Sequence, residues 1–296
     1  MLTPWYRSNN KDFTLSLGDT LEVLKTFDFK FDMIFADPPY FLSNGGISVQ
    51  SGKQVSVNKG EWDKSRGLEK DLDFTRTWIS LCREKLSPDG TIWISGTHHN
   101  IFLVAQVLNE LSFKILNVIT WAKTNPPPNL SCRYFTFSTE FIIWARKEKN
   151  TPHYFNYELM REINGGTQMR DVWSLPAIAK WEKSCGKHPT QKPLPLLSRI
   201  ILSSTRPNAW ILDPFTGSST TGIAASLLKR KFLGVDKDEN YLTISKKRRE
   251  EIDDSSIRES YFNHIERYSD KPFSPIFELR EEQESYTKDL PCVVAL

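Results

Sequence analysis

The sequence contains little cysteine and lacks any long apolar segment. Its four cysteines, among 296 residues, are widely scattered and form no CxxC pair, which argues against a zinc site and against a disulfide framework. No run of eighteen apolar residues is present, so no transmembrane helix is expected. The first ten residues lack the apolar stretch of a secretory signal. These absences favour a protein of a reducing cytosol with no resident metal and no membrane contact.

Charge is unevenly divided along the chain. The net charge is +3, but residues 250–296 contain twelve acidic and five basic residues, which leaves +10 for residues 1–249. A basic body and an acidic tail indicate a polyanionic partner such as nucleic acid. Ordinary surface charge explains the same numbers equally well at this point.

Short apolar runs alternate with amphipathic stretches, which predicts an α/β sheet. Residues 41–65 are polar and contain glycine, and they predict a long loop. Between residues 148 and 187 aromatic and basic residues mix without a period, which predicts an insertion rather than core. The predicted strands are FTLSL, FDMIFAD, TIWISG, KILNVITWAK, TEFIIWARK, AWILDPF and KFLGVD.

The motif DPPY, residues 37–40, directly follows the predicted strand FDMIFA. Proline ends strands because it has no N–H for the ladder, and Asp before Pro often opens a turn. The motif alone therefore fits an ordinary turn that ends a strand as well as it fits a functional site.

A second motif, ILDPFTGSSTTGIAA at residues 211–225, predicts a strand, a small-residue turn and a helix, and Asp236 ends the next strand. This order is typical of a nucleotide-type cofactor site in a Rossmann-like sheet, with free amides at the helix start and an acid for the ribose hydroxyls. The turn has one glycine, Gly217, and follows an acid, Asp213. Both features disfavour a pyrophosphate and suit a cation such as S-adenosylmethionine.

Together with KHPTQKP at residues 187–193, these motifs resemble the amino-directed DNA methyltransferases, in the permuted order of their beta group, over residues 12–250. FADPPYFLSNGG, TWAKTNPPPNLSCRYFTFSTE and GKHPTQKP are most similar to enzymes that modify adenine in GATC within restriction–modification systems, including the type that accepts single-stranded DNA. The chain departs from the family at Ser219, where glycine is usual. A serine suits this turn if its φ is negative.

The resemblance implies roles for the DPPY residues. The Asp37 side chain and the Pro38 carbonyl would accept the two hydrogens of the target amine, and Pro39 would stiffen the turn. Tyr40 would offer a face on which the flipped base stacks.

The same resemblance implies S-adenosylmethionine as cofactor. Asp19 would lie near its adenine, although an N-cap for the following helix is the alternative reading of that residue. The cofactor-binding set is Asp19, Phe35, His188, Gln191, Lys192, Asp213, Pro214, Phe215, Gly217, Ser218, Thr220 and Asp236. Candidate DNA contacts are Lys53, Lys59, Trp62, Arg133 and Lys180.

The expected fold is α/β, a Rossmann-like doubly wound mixed sheet, mostly parallel with an antiparallel edge hairpin, plus a small inserted target-recognition region. Residues 12–147 would form the catalytic half, residues 148–187 the recognition insertion, residues 188–250 the cofactor half and residues 251–296 an acidic extension. We expect the extension to dock on the fold through Tyr261, Phe262, Phe273 and Phe277; the alternative is a tail whose acids rest on the basic body and compete with DNA.

The expected protein is a monomeric or homodimeric enzyme of the prokaryotic cytoplasm that methylates adenine N6 in double-stranded DNA, and also in single-stranded DNA. One alternative is a cytosine-N4 methyltransferase, although such enzymes of this group tend to have Ser where Asp37 stands. Others are an inactive DNA-binding subunit and a protein-glutamine methylase, which the basic body disfavours.

Overall fold

A computed structural model describes residues 3–42, 47–50, 53–56, 63–129, 132–186 and 188–266, with the backbone alone described at 47–50 and 53–56. The elements are numbered along the chain within these ranges. The strands are β1 (Tyr6–Arg7), β2 (Phe13–Leu17), β3 (Phe31–Ala36), β4 (Ile47–Gln50), β5 (Lys53–Ser56), β6 (Leu86–Gly96), β7 (Lys114–Lys123), β8 (Thr139–Arg146), β9 (Val172–Leu175), β10 (Trp210–Asp213) and β11 (Lys231–Asp236). The helices are α1 (Thr20–Val23), α2 (Leu68–Lys85), α3 (Ile101–Glu110), α4 (Tyr157–Ile163), α5 (Leu194–Ser204), α6 (Thr220–Leu227), α7 (Glu239–Glu251) and α8 (Ser255–Glu266).

One nine-stranded sheet forms the centre of the described chain, in the order β1-β2-β11-β10-β3-β6-β8-β7-β9. Strands β2, β11, β10, β3 and β6 pair in parallel, whereas β1 and β8 run against their neighbours. The predicted mixed, mostly parallel sheet is thus confirmed. The predicted antiparallel hairpin is β7–β8, and β9 pairs in parallel with β7 outside it.

The central strands are apolar on both sides because the sheet is covered on both faces. In β3, Met33 and Phe35 belong to one hydrophobic cluster, while Ile34 and Ala36 belong to the other. Successive side chains of a strand point to opposite faces, so an unbroken apolar run is what a doubly covered parallel strand requires.

Strand pairing brings the two sequence motifs together. β3 and β10 are parallel neighbours, with Met33 opposite Ile211 and Ile34 opposite Leu212. Because parallel strands end at the same edge of the sheet, Asp37 and Asp213 emerge side by side. Ligands of such sheets bind outside the carboxyl ends of the strands.

Two expectations about loops are wrong. Part of residues 41–65 forms an antiparallel pair of strands, β4 and β5. Ile47 and Val49 alternate with polar residues in β4, a short strand pattern that the polar, glycine-containing composition of the segment outweighed in the prediction. Residues 148–187 are not separate from the core, because they supply α4 and β9. Met160, Ile163, Trp173 and Leu175 from this segment are all buried in the main cluster. Its assignment to target recognition stays a prediction.

The acidic extension begins with a docked helix. Tyr261 and Ile265 of α8 are buried in the core cluster that α5 also joins, and the ring of His264 stacks on that of Trp181 with centroids 4.2 Å apart. Phe273 and Phe277, which we also expected to anchor the extension, lie outside the described residues.

Docking of α8 predicts a stability cost for truncating its buried face. Ile265→Ala should lower the free energy of unfolding by roughly 2–5 kcal/mol, the usual range for a buried Ile. Glu259→Ala, on the exposed side of the same helix, should change it by less than about 0.5 kcal/mol. Urea unfolding of both variants measures the difference, and equal midpoints would contradict docking.

Candidate active site

A cavity of about 810 Å³ opens at the carboxyl ends of β2, β3, β10 and β11, beside the first turns of α2. Its volume lies within the roughly 300–1,000 Å³ typical of small-molecule sites. All twelve predicted cofactor residues line it, and so do Asp37 and Pro39. Pro38 and Tyr40 are buried behind this wall. The sequence therefore predicted the cavity residues at the strand ends, in the β10–α6 turn and in the segment 188–192, but none of those contributed by α2.

The turn between β10 and α6 requires glycine at its first bend. Gly217 has a φ of +49°, and a Cβ there would lie 2.8 Å from Nε2 of His188. The Gly217 N–H donates to Oδ2 of Asp236 at 2.8 Å, and the Asp238 N–H donates to Oδ1 at 2.9 Å. Asp236 thus braces the turn and still faces the cavity, where its oxygens retain lone pairs for a hydroxyl donor.

Ser219 adopts a φ of +56°, so it does not meet the condition of a negative φ under which a serine would suit this turn. A left-handed conformation costs a residue with a side chain about 1–2 kcal/mol, which explains why glycine suits this position. The serine hydroxyl offsets part of that cost. It lies 2.9 Å from the Thr216 hydroxyl and donates to Ser245 of α7, also at 2.9 Å, so the turn is tied to α7.

The Asp213 carboxyl is buried beside the cavity. Burial raises its pKa to about 7, and repulsion from Asp37 and Asp236 adds to the increase. Hydrogen bonds from the Thr221 hydroxyl, at 2.6 Å, and from the Phe215 N–H, at 3.1 Å, oppose it. A cation placed in the cavity would stabilise the charged form of this group.

His188 and Gln191 also line the cavity. Burial lowers the pKa of His188 to about 4, so the imidazole is neutral at pH 7 and packs edge-on against Tyr241. Gln191 donates from Nε2 to the Glu182 carbonyl at 2.8 Å. Its Oε1 is buried and finds no hydrogen-bond donor within the described ranges.

Asp37 is held by three donors. The Ser95 and Tyr40 hydroxyls donate to Oδ1 at 2.5 and 2.7 Å, and the Lys192 ammonium donates to Oδ2 at 2.6 Å. Burial alone would raise the pKa of Asp37, but the charge of Lys192 and the three hydrogen bonds outweigh it and lower the pKa. Asp37 is therefore an ionised acceptor at neutral pH.

Tyr40 does not offer the open stacking face that we expected. The residue is 5% exposed, its hydroxyl is used by Asp37, and the Lys192 ammonium lies 5.2 Å from its ring centroid. The buried phenol needs a partner for its hydroxyl, and Asp37 supplies one. The N–H groups of Tyr40 and Phe41 donate to Oδ1 of buried Asp63, at 2.8 and 3.0 Å.

Asp19 caps α1, since its carboxylate accepts from the Leu21 N–H at 2.8 Å, and it also lines the cavity. The two readings of this residue are therefore compatible. Among the candidate DNA contacts, Arg133 and Lys180 are exposed and lie away from the cavity wall. Lys59, Trp62 and the side chain of Lys53 lie outside the described residues.

Sequence reasoning missed the polar groups that support Asp37. Ser95 is the second-last residue of β6, which lies next to β3, Glu140 is the second residue of β8, and Lys123 is the last residue of β7. A polar residue at the end of an apolar strand was the available signal for Ser95. Asp63 had no signal, because it lies in the segment that we predicted to be a loop.

Within the described part of the chain, no three His, Cys, Asp or Glu side chains are arranged to hold a metal ion. None of the helices found there is both long enough and apolar enough to cross a membrane.

Comparisons with known proteins agree with this geometry. A family model described as a DNA methylase matches residues 31–247. The chain is 56% identical over 252 residues to the type II methyltransferase M2.MboI of Moraxella bovis, covering 85% of this chain and 92% of that protein. It is also 56% identical over 252 residues to M2.DpnII of Streptococcus pneumoniae, covering 84% and 93%.

Solved structures give the same architecture. The M1.HpyAVI–SAM complex is similar with a TM-score of 0.62 and 30% identity, covering 80% of this chain and 98% of that one. PvuII DNA methyltransferase, described as cytosine-N4-specific, has a TM-score of 0.67 at 19% identity, covering 90% and 96%. That second likeness concerns the fold alone.

The residues present fit S-adenosylmethionine. The His188 imidazole packs against Gly217 in the space that a Cβ would fill, and both residues line the cavity. The buried Asp213 carboxyl suits a ligand with positive charge. Asp236 and Asp19 present carboxylate oxygens to the cavity. S-adenosylmethionine is accordingly the cofactor of this site.

A raised pKa at Asp213 predicts that cofactor binding releases a proton. The cation favours the charged carboxylate, so below a pH of about 7 binding requires deprotonation, and affinity should fall up to about tenfold per pH unit. Above that pH the affinity should level off. Calorimetry in two buffers of different ionisation enthalpy should detect proton release near pH 6 and much less near pH 8.

Asp213→Asn is the control for this coupling. Its amide does not titrate, so its affinity should be lower and should vary less with pH. A wild-type protein that releases no proton near pH 6 would contradict a cationic group bound beside Asp213.

Proposed function

The chain belongs to the family of DNA methylases, and on that basis we propose that it methylates the N6 amine of adenine in GATC, as the modification part of a restriction–modification system in the prokaryotic cytoplasm. The observation that carries the proposal is the shared cavity. Asp37, the proposed acceptor for the target amine, lines the same space as Asp213, Gly217 and Asp236 of the cofactor wall.

The exocyclic amine of adenine is a poor nucleophile because its lone pair is delocalised into the ring. Bound S-adenosylmethionine supplies the methyl group, and its sulfur keeps the electron pair of the broken carbon–sulfur bond. Asp37 accepts a hydrogen bond from one N–H of the amine, and the Pro38 carbonyl accepts from the other. Two fixed acceptors direct the lone pair out of the ring plane towards the methyl group.

The amine nitrogen gives up one proton once the new nitrogen–carbon bond has formed. Asp37 is ionised and lies beside that nitrogen, so it is the first acceptor on the path to solvent. The target adenine must leave the duplex to reach Asp37, because its amine is otherwise paired and stacked. The buried position of Tyr40 and its hydrogen bond to Asp37 support a role in holding Asp37 rather than in stacking on the base.

Adenine is favoured over cytosine by Asp37 itself, since the cytosine-N4 enzymes of this group tend to have Ser at that position. The inactive-subunit reading is disfavoured by the Asp37 network, because three donors converge on a buried carboxylate that a silent protein would not need.

Asp37→Asn tests the proposal. The amide keeps the shape but loses the charge and one acceptor, so methyl transfer should fall by at least about 100-fold. Cofactor affinity should fall only a few-fold, because Lys192 keeps Glu140 as a partner at 3.7 Å when Asp37 loses its charge. Asp32→Asn is the matched control at the opposite end of β3, where Asp32 accepts from the Trp210 N–H at 2.7 Å, and it should keep near-normal transfer.

The assay follows labelled methyl groups into duplexes with and without GATC, and product nucleosides are identified. N4-methylcytosine, or equal labelling of both duplexes, would overturn the adenine or the GATC assignment. Normal transfer by Asp37→Asn would remove Asp37 from the mechanism.

The loop between β7 and β8 supports contact with DNA near the target base. It leaves the same edge of the sheet as Asp37 and exposes three aromatic rings, with Phe135 97% exposed. Phe137 stacks on His98 with centroids 4.7 Å apart, and Tyr134 packs against Phe137. Unpaired bases stack on such rings with little sequence preference, and Arg133 in this loop is suited to a phosphate.

Phe135→Ala should weaken DNA binding by about 1–3 kcal/mol, the usual contribution of one stacked base, and should leave cofactor affinity unchanged. Phe29→Ala, an exposed aromatic at the opposite edge of the sheet, should not affect DNA binding. Fluorescence anisotropy with single- and double-stranded oligonucleotides measures both. A larger loss on single strands would indicate that unpaired flanking bases are bound, and no loss on either would exclude this loop.

A further inference from the structure

Lys192 lies where sequence reasoning placed a cofactor contact, but its ammonium points at the catalytic acid. The side chain is 8% exposed, with Nζ 2.6 Å from Asp37 and 3.7 Å from Glu140. Nζ of Lys123 lies 2.5 Å from Glu140 on its other side. Two ammonium groups and two carboxylates thus alternate in a row from β7 to β3.

A buried carboxylate is costly without a counter-ion, and a group in that position usually becomes neutral instead. Asp37 avoids this because Lys192 offsets the desolvation. Lys192 is itself kept charged. Burial lowers its pKa, but the nearby carboxylates of Asp37 and Glu140 raise it by more, so the net shift is upward. A cation–π contact with the Tyr40 ring further stabilises the Lys192 ammonium.

Direct contact between Lys192 and the cofactor is disfavoured by charge. S-adenosylmethionine is cationic at its reacting end, and an ammonium in the same cavity would repel it. Paired with Asp37 at 2.6 Å, Lys192 contributes little net charge there. Asp213 and Asp236 then remain as the acids that attract the cofactor.

We propose that Lys192 is a positioning residue for methyl transfer: its ammonium holds the Asp37 carboxylate ionised and oriented so that Asp37 accepts a hydrogen bond from the target amine. Glu140 supports the charge of Lys192 from 3.7 Å, and Lys123 pairs with Glu140 in turn. The inference deepens the proposed function, because it rests on the role of Asp37 given there.

The other titratable groups that face Asp37 are Tyr40, His188 and Asp213. Burial raises the pKa of Tyr40 well above its usual value, and it lowers that of His188 to about 4. Neither changes charge between pH 5 and 9. Asp213 does, near pH 7, so the cofactor must be saturating at every pH for the pH dependence of the rate to report on Asp37.

The experiment measures single-turnover methyl transfer to a GATC duplex from about pH 5 to pH 9 at saturating cofactor. In Lys192→Gln the carboxylate loses its counter-ion, so the acid limb of the rate should move up by one pH unit or more. The rate should therefore fall most at low pH and recover in part at high pH. Lys192→Arg keeps the charge and should keep the acid limb of the wild type, with a lower plateau.

Lys85→Gln is the matched control. Lys85 is also a buried lysine, which donates to the Phe27 carbonyl at 2.5 Å, and it does not line the cavity. Its loss should lower stability without moving the acid limb. Cofactor affinity, measured separately by calorimetry, should be within a few-fold of wild type for the Lys192 variants.

A Lys192→Gln profile that runs parallel to the wild type, or a defect confined to cofactor affinity, would overturn the inference alone. If Lys192→Gln fails to fold, the pH–rate profile of Lys192→Arg decides. An acid limb that moves by a full pH unit although the charge is retained overturns the inference, and an acid limb at the wild-type pH supports it. A wild-type protein that transfers no methyl group to DNA would overturn the proposed function and this inference together.

Discussion

Parallel pairing of β3 with β10 is the constraint on which the site depends. It places Asp37 and Asp213, which are far apart in the sequence, at neighbouring strand ends. The acceptor for the amine and the wall that holds the methyl donor are then fixed by one ladder of backbone hydrogen bonds. Their separation changes only if the sheet itself deforms, and this rigidity is what catalysis by proximity requires.

Three acids meet at this edge of the sheet, and each meets the cost of burial in a different way. Asp37 is neutralised by Lys192. Asp213 has a pKa of about 7 and is partly protonated at neutral pH until a cation arrives. Asp236 is stabilised by two backbone N–H groups, from Gly217 of the β10–α6 turn and from Asp238 of the turn that follows β11. A cationic ligand is therefore attracted to the side of the cavity that carries Asp213 and Asp236, because these two acids have no cationic partner there within the part of the chain that the structure describes.

The sequence revealed the parts of the site that follow directly from strand ends. Asp37, Asp213 and Asp236 were predictable because each closes an apolar run, and the small-residue turn after Asp213 identified the cofactor wall. Ser95 and Glu140 were not, because their relation to Asp37 depends on which strands are neighbours. The burial of Tyr40 and the positive φ of Ser219 were not predictable for a related reason: a ring's exposure and a residue's φ are set by packing that single-residue patterns do not contain.

The spatial order of the strands also determines when the site can exist during synthesis. In the finished sheet β3 lies between β6 and β10, but β10 leaves the ribosome long after β6. Until then the nascent chain carries β3 with one side unpaired, and such an edge is prone to aggregation. β10, which closes that edge, also carries part of the cofactor wall, so one pairing both protects β3 from misassembly and contributes to the site for the methyl donor.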